Sequence, residues 1–149
     1  MDKFLKRPAD ILLVEDNPGD VRLVQEAFRA CDVDHTLNVV EDGDRALGYL
    51  RRQGAYTEST RPDLIILDWN LPNKPGREVL EAVKQDPDLQ PIPIVVFTTS
   101  RAPQDLQEAY DLRASCFITK PAHFREFVEA IEGIRDFWLG IATLPSAPT

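Results

Sequence analysis

Five side chains carry the chemistry that handling a phosphoryl group requires: Glu15, Asp16, Asp68, Thr98 and Lys120. Each follows a short apolar run. Asp10-Ile11-Leu12-Leu13-Val14 ends in Glu15-Asp16, and Leu64-Ile65-Ile66-Leu67 ends in Asp68. Ile92 to Phe97 ends in Thr98, and Ser115 to Thr119 ends in Lys120. Three carboxylates brought together repel, and each disfavours ionisation of the others. A divalent cation relieves that repulsion. Oxygen donors without Cys or His select Mg2+ rather than Zn2+. Lysine adds a compact positive charge for a carboxylate or a phosphoryl oxygen, and threonine adds a hydroxyl donor. Acid, cation, hydroxyl and lysine together make a phosphoryl-transfer site in which Asp68 is the nucleophile.

Such a site requires elements that deliver all five groups to one place. Uniformly apolar runs this short suit strands buried on both faces. Asn17-Pro18 supplies a cap and a first-position proline for a helix reaching about Ala30. His35 to Val40 is a second, β-branched strand, and Glu41-Asp42-Gly43-Asp44 a turn that caps a helix ending near Arg52. Pro75 can open a helix carrying Val79, Leu80 and Val83, and Pro103 to Arg113 makes another. A last helix begins near His123, with Phe124, Phe127, Val128, Ile131, Ile134 and Trp138 at three- and four-residue spacing. Strand and helix thus alternate five times, which predicts an α/β fold with a parallel sheet covered on both faces. Ligands bind such sheets outside the carboxyl ends of the strands. If strands one, three, four and five are neighbours, the five groups meet at one edge.

With 149 residues the chain fits one domain, residues 1–149, with a core of about 10–139 and a tail of 140–149. The net charge of −8 argues against nucleic acid and against an anionic membrane surface. No stretch approaches the ~20 apolar residues of a membrane span, and Met1 to Pro8 lacks a hydrophobic signal core. A cytoplasmic protein is expected. Cys31 and Cys116 match no metal or redox spacing, and His35 and His123 are too scattered for a metal site. Buried structural roles are expected for the cysteines, and a surface or packing role for each histidine. Phe137 and Leu139 lie off the last helix's apolar stripe, so a dimer contact and a folded-back tail are both open.

Val14-Glu15-Asp16-Asn17, Leu67-Asp68-Trp69-Asn70-Leu71-Pro72 with Gly76, Phe97-Thr98-Thr99-Ser100 and Phe117-Ile118-Thr119-Lys120-Pro121 occur in order at fitting intervals. In these segments, spanning about Asp10 to Phe137, the chain resembles the receiver domains of two-component response regulators. That resemblance implies a doubly wound five-stranded parallel sheet of order 2-1-3-4-5 with five helices. It implies that Asp68 accepts phosphate from a sensor histidine kinase. Asp16 would hold Mg2+ directly, Glu15 through water, and Asn70 through its backbone carbonyl, alongside Asp68. Thr98 and Lys120 would contact the phosphoryl group, and Thr98 and Phe117 would act as the switch pair. The Lys120–Pro121 peptide would be cis. The domain would catalyse its own phosphorylation and slow dephosphorylation, with no separate substrate.

Glu15 stands where Asp is frequent, Thr99 where a small residue is frequent, and Phe117 where Tyr is commoner; none of these removes the site. No DNA-binding segment follows the last helix, so the expected output is association with protein. Asn-Pro-Gly-Asp after the acidic pair, Thr-Thr-Ser after strand four and the Phe137-Trp138-Leu139 ending are similar to the regulators that partner cyanobacterial and bacterial phytochromes. They imply a phytochrome-type kinase and a homodimer through the face of the fourth helix, fifth strand and fifth helix. Other readings are weaker. A flavin-nucleotide binder would face repulsion from Glu15-Asp16, and an aspartate-dependent phosphatase would need an acid where Asn70 stands. The alternative that stays open is a degenerate receiver, a phosphorylation-independent interaction module.

Overall fold

Leu64–Leu67 has no exposed residue, and a strand of that kind must lie inside a sheet with both faces covered. The computed structural model, which describes residues 8–145, places it at the centre. Strands β1 (Ala9–Val14), β2 (His35–Val40), β3 (Leu64–Leu67), β4 (Ile94–Thr98) and β5 (Cys116–Thr119) are all parallel, in the order 2-1-3-4-5. Helices α1 (Pro18–Arg29), α2 (Gly43–Arg51), α3 (Gly76–Gln85), α4 (Pro103–Asp111) and α5 (Phe124–Asp136) connect and follow them. The expected fold class is observed. Expectations concerning residues 1–7 and 146–149 lie outside the described residues.

Alternation along each strand divides the core in two. Leu12, Val14, Ile65, Leu67, Ile94 and Val96 pack with residues of α2 and α3 and with Ala109 of α4. Ile11, Leu13, Leu64, Ile66, Val95 and Phe97 pack with Val24, Ala27 and Phe28 of α1 and with Phe127, Ile131 and Ile134 of α5. The register sets Val14 beside Leu67, Leu67 beside Val96 and Thr98 beside Thr119. The strands therefore stop together, and the residues that follow them share one rim. No helix among the described residues is long and apolar enough to cross a membrane.

Three expectations change. Phe124 has the spacing of the last helix's apolar stripe but is 70% exposed. The stripe starts one turn later, at Phe127, because Phe124 is the first residue of α5, beyond the body of the core. Strand four starts at Ile94, not Ile92. The Lys120–Pro121 peptide is trans, and no peptide bond among the described residues is cis. Trans is the lower-energy isomer for X-Pro by about 0.5–1 kcal/mol. The chain here simply runs on from the β5 ladder, where the Lys120 amide donates to the Thr98 carbonyl at 2.6 Å.

Past α5 a π turn (Phe137–Ile141) leads the chain back onto the α1/α5 side of the core. Leu139 and Leu144 are both buried there, while Phe137 stays exposed. The folded-back course thus accounts for Leu139. Leu144→Ala is expected to cost about 2–3 kcal/mol, the lower part of the range for truncating a buried leucine. A urea unfolding curve unchanged in midpoint would refute the docking of this segment. Packing roles hold for His35, whose Nδ1 lies 2.9 Å from the Val33 carbonyl and whose ring meets Phe28 edge-on. Cys31 and Cys116 are both free, and burial pushes the Cys116 thiol pKa up, away from the reactive thiolate.

Candidate functional site

The site lies where β1, β3, β4 and β5 end. The Asp68 amide donates to the Val14 carbonyl at 3.0 Å, which ties the residue after β3 to the end of β1. Glu15 and Asp68 are thereby held beside each other. Both are buried, whereas Asp16 points to solvent. Oxygens of Glu15, Asp16 and Asp68 lie within 4.8 Å of one another.

Lys120 enters this cluster from the end of β5. Its Nζ lies over the Phe97 ring, 5.8 Å from the ring centroid, and Phe97 packs on Phe127 of α5. Its Nζ donates to Glu15 Oε1 at 2.6 Å, Asp20 Oδ2 at 2.8 Å and Asp68 Oδ2 at 3.2 Å. Burial alone would lower the Lys120 pKa. Hydrogen bonds to Asp20 and Glu15 and the charges of Glu15 and Asp68 more than reverse this, so the ammonium is held above its ordinary value. Glu15 shows the opposite balance. Burial and then the Asp68 charge push its carboxyl up to about 7, although Lys120 and the Asn17 amide favour its ionised form. One ammonium thus does not offset the three carboxylates it bonds, with Asp16 beside two of them.

The loop after β3 is fixed by close backbone approach. Gly76 opens α3 directly against Asp68 and Trp69: a Cβ there would collide with the Asp68 carbonyl oxygen and lie 2.9 Å from Trp69 Cα. The Gly76 amide donates to the Trp69 carbonyl at 2.9 Å. Gly43, at the start of α2, is pressed in the same way against the Lys74 carbonyl. Asp42 caps α2 by accepting from the Arg45 amide at 2.7 Å, as the turn sequence suggests. Its other oxygen accepts from Asn73 Nδ2 at 3.1 Å, and Asn73 adopts the left-handed conformation with φ 66°. Asn70 is exposed, and its amide donates to Asp68 Oδ1 at 3.3 Å.

Thr98, the last residue of β4, is fully buried, and its Oγ1 accepts from the Ser100 amide at 3.4 Å. It shares the rim without a direct bond to Asp68. Ser100 donates to Asp105 Oδ2 at 2.6 Å and accepts from the Ala102 amide, which steadies the entry to α4. Thr119 Oγ1 donates to the Ser100 carbonyl at 3.3 Å. Phe117 lies away from the rim, paired with Val96 and half-buried against the α4 side of the core. Its amide donates to the Tyr110 hydroxyl at 3.2 Å. Pro121 follows Lys120 toward His123, which precedes α5.

Glu15, Asp16, Asp68 and Lys120 therefore meet, Thr98 borders them, and Phe117 stands one layer away. Sequence reasoning missed Asp20. The signal was present: Asn17-Pro18 fixes where α1 starts, which puts Asp20 in its first turn, next to the strand ends. The donor set suits Mg2+, because its side chains are carboxylates without Cys or His and it retains negative charge after pairing with Lys120.

Residues 11–132 match the family model described as response regulator receiver domain. The chain is 47% identical to response regulator Rcp1 of Synechocystis sp. over 140 residues, which cover 94% of this chain and 95% of that protein. The crystal structure of the Mn2+-bound form of Rcp1 superposes with a TM-score of 0.92 at 47% identity, covering 93% of this chain and 100% of that one. The phosphorylated cyanobacterial phytochrome response regulator RcpA superposes with a TM-score of 0.91 at 48% identity, covering 94% and 100%.

Proposed function

This chain belongs to the response regulator receiver domain family, and from that membership we propose that it takes a phosphoryl group onto Asp68 from a phytochrome-type sensor histidine kinase and thereby changes its association with protein. The observation that carries the reading is Lys120 Nζ at 3.2 Å from Asp68 Oδ2, beside the oxygens of Glu15, Asp16 and Asp68. An Asp68 carboxylate oxygen attacks phosphorus. An O–P bond forms as the N–P bond of the phosphohistidine breaks, and the departing imidazole keeps the electron pair and picks up a proton. Lys120 offsets charge on the phosphoryl oxygens. Glu15, Asp16, Asp68 and the Asn70 carbonyl are the residues that would hold Mg2+, and the ion would neutralise further phosphoryl charge.

Thr98 would then turn its hydroxyl toward the phosphoryl group, and Phe117 would move into the space released. New charge at the rim thus biases the surface of α4, β5 and α5. That surface carries Leu106, Tyr110 and Phe124, all exposed. Hydrolysis at the same site resets the domain, which acts as a single receiver in the cytoplasm. The partnership with a phytochrome-type kinase is supported by the likeness to RcpA. Phosphotransfer from a panel of phosphorylated histidine kinases, phytochromes included, tests it. Labelling of this chain fastest by a phytochrome kinase is expected, and equal or faster labelling by unrelated kinases would overturn the partner assignment.

Homodimerisation through the α4–β5–α5 face is part of the same reading. Large apolar side chains left in water favour burial against a second surface. Light scattering is expected to give a dimer that Phe124→Asp weakens by at least about tenfold in Kd, as for loss of a buried aromatic anchor. A monomer at all concentrations, with or without acetyl phosphate, would rule it out.

A further inference from the structure

A lysine ammonium has three N–H donors, and at Lys120 all of them go to carboxylates: Glu15 at 2.6 Å, Asp20 at 2.8 Å and Asp68 at 3.2 Å. The three acceptors are not equivalent. Glu15 and Asp68 belong to the cluster of oxygens that lie within 4.8 Å of one another, and Asp20 does not. Asp20 comes from the first turn of α1, where its amide donates to Asn17 Oδ1 at 3.0 Å and Pro18 sets the start of the helix. Its carboxylate is thus presented by a fixed backbone, and 22% of its side chain faces solvent, against 3% for Lys120 and Glu15.

A divalent cation held by Glu15, Asp16 and Asp68 would compete with Lys120 for the negative charge of Glu15 and Asp68 and would repel its ammonium. An ammonium left buried without an anion is costly. Lys120 therefore needs an acceptor outside the cluster, within reach of its present position, if it is to remain at the site while the cluster is occupied. Asp20 alone among its three partners meets that condition.

We propose that Asp20 is a positioning residue that takes over the Lys120 ammonium when Mg2+ engages Glu15 and Asp68, so that one site holds both cations next to the phosphoryl position. This rests on reading Glu15, Asp16 and Asp68 as the Mg2+ ligands. Asp20 itself touches neither the metal nor the phosphoryl group; it acts through Lys120. Its presence makes Mg2+ binding easier by stabilising the lysine that binding displaces.

Calorimetric titration of the full chain with MgCl2 alone tests this, using wild type, Asp20→Asn, Lys120→Gln and the double variant. Asp20→Asn keeps the side chain's size and removes its charge. It is expected to weaken Mg2+ binding about fivefold more in the Lys120 background than in the Lys120→Gln background, within the range of coupling for residues in contact. An equal loss in both backgrounds would overturn the proposal, since Asp20 would then act only by through-space charge. Undetectable Mg2+ binding by wild type at millimolar concentration would instead overturn the ligand assignment. A second measurement needs only Asp20→Asn. In wild type the Lys120 ammonium protons should stay in slow exchange by NMR after Mg2+ is added, and in Asp20→Asn they should be lost. Persistence in both would count against the takeover.

Discussion

Asp68→Asn is expected to abolish the phosphate-dependent mobility shift that acetyl phosphate and Mg2+ produce on a phosphate-affinity gel, while the wild-type chain shifts. The amide is nearly isosteric but offers no anionic oxygen to attack phosphorus, so the loss is of the nucleophile itself. Stability should hardly move. Asp68 sits at the rim, past the last residue of β3, and the substitution removes a charge that pushes the Glu15 carboxyl up. Losing that repulsion offsets losing the longest of the three Lys120 contacts. A melting temperature within about 3 °C of wild type corresponds to a change of roughly 1 kcal/mol. A persisting shift in Asp68→Asn would mean that another side chain is the acceptor. Loss of cooperative melting would mean that Asp68 is needed to build the rim.

Gly76→Ala is expected to damage both the fold and the site, although it adds a single carbon. That carbon would meet the Asp68 carbonyl oxygen, Trp69 Cα at 2.9 Å and the Asp68 carbonyl carbon at 3.2 Å. The obstructing atoms are backbone, and no rotamer change relieves them. The start of α3 or the loop carrying Asn70 must shift, at about 1–3 kcal/mol by the usual cost of overpacking. A shift of even a fraction of an ångström displaces Asp68 relative to Lys120 and Glu15. The gel assay should therefore lose at least about tenfold in phosphorylation rate, because positioning is a large part of catalysis. Wild-type stability and rate together would refute the close approach.

The sheet could be read because its strands are extreme. Leu64–Leu67 and Ile11–Val14 are buried on both faces, so their runs of aliphatic residues admit few other readings. The rim followed, since each run stops at a residue of the candidate site. What could not be read depends on neighbours rather than on pattern. Phe124 has the spacing of a core residue, but periodicity does not reveal that no element lies opposite it. Leu144 lies beyond the last helical repeat, so nothing in its surroundings announces that it returns to the core. Asp20 was hidden differently: it is one acid on the polar side of α1, and only the tertiary approach of β5 turns it into a partner of Lys120. The trans Lys120–Pro121 peptide corrects an expectation carried by resemblance, not by anything local in the sequence.

The two loops that flank Asp68 are held in unlike ways. On the α2 side, Gly43 against the Lys74 carbonyl, Gly76 against Asp68, and the Asp42–Asn73 bond fix backbone to backbone and cap to loop. On the α4 side, the links are hydroxyls: Thr98 to the Ser100 amide, Ser100 to Asp105, and Thr119 to the Ser100 carbonyl. Hydroxyls rotate and exchange partners at little cost, whereas interlocked main chain does not. The rim is thus a vice with one fixed jaw and one sliding jaw. A phosphoryl group arriving at Asp68 would press against the fixed jaw and displace the other more readily, so the direction in which a signal would leave the domain is set before any signal arrives.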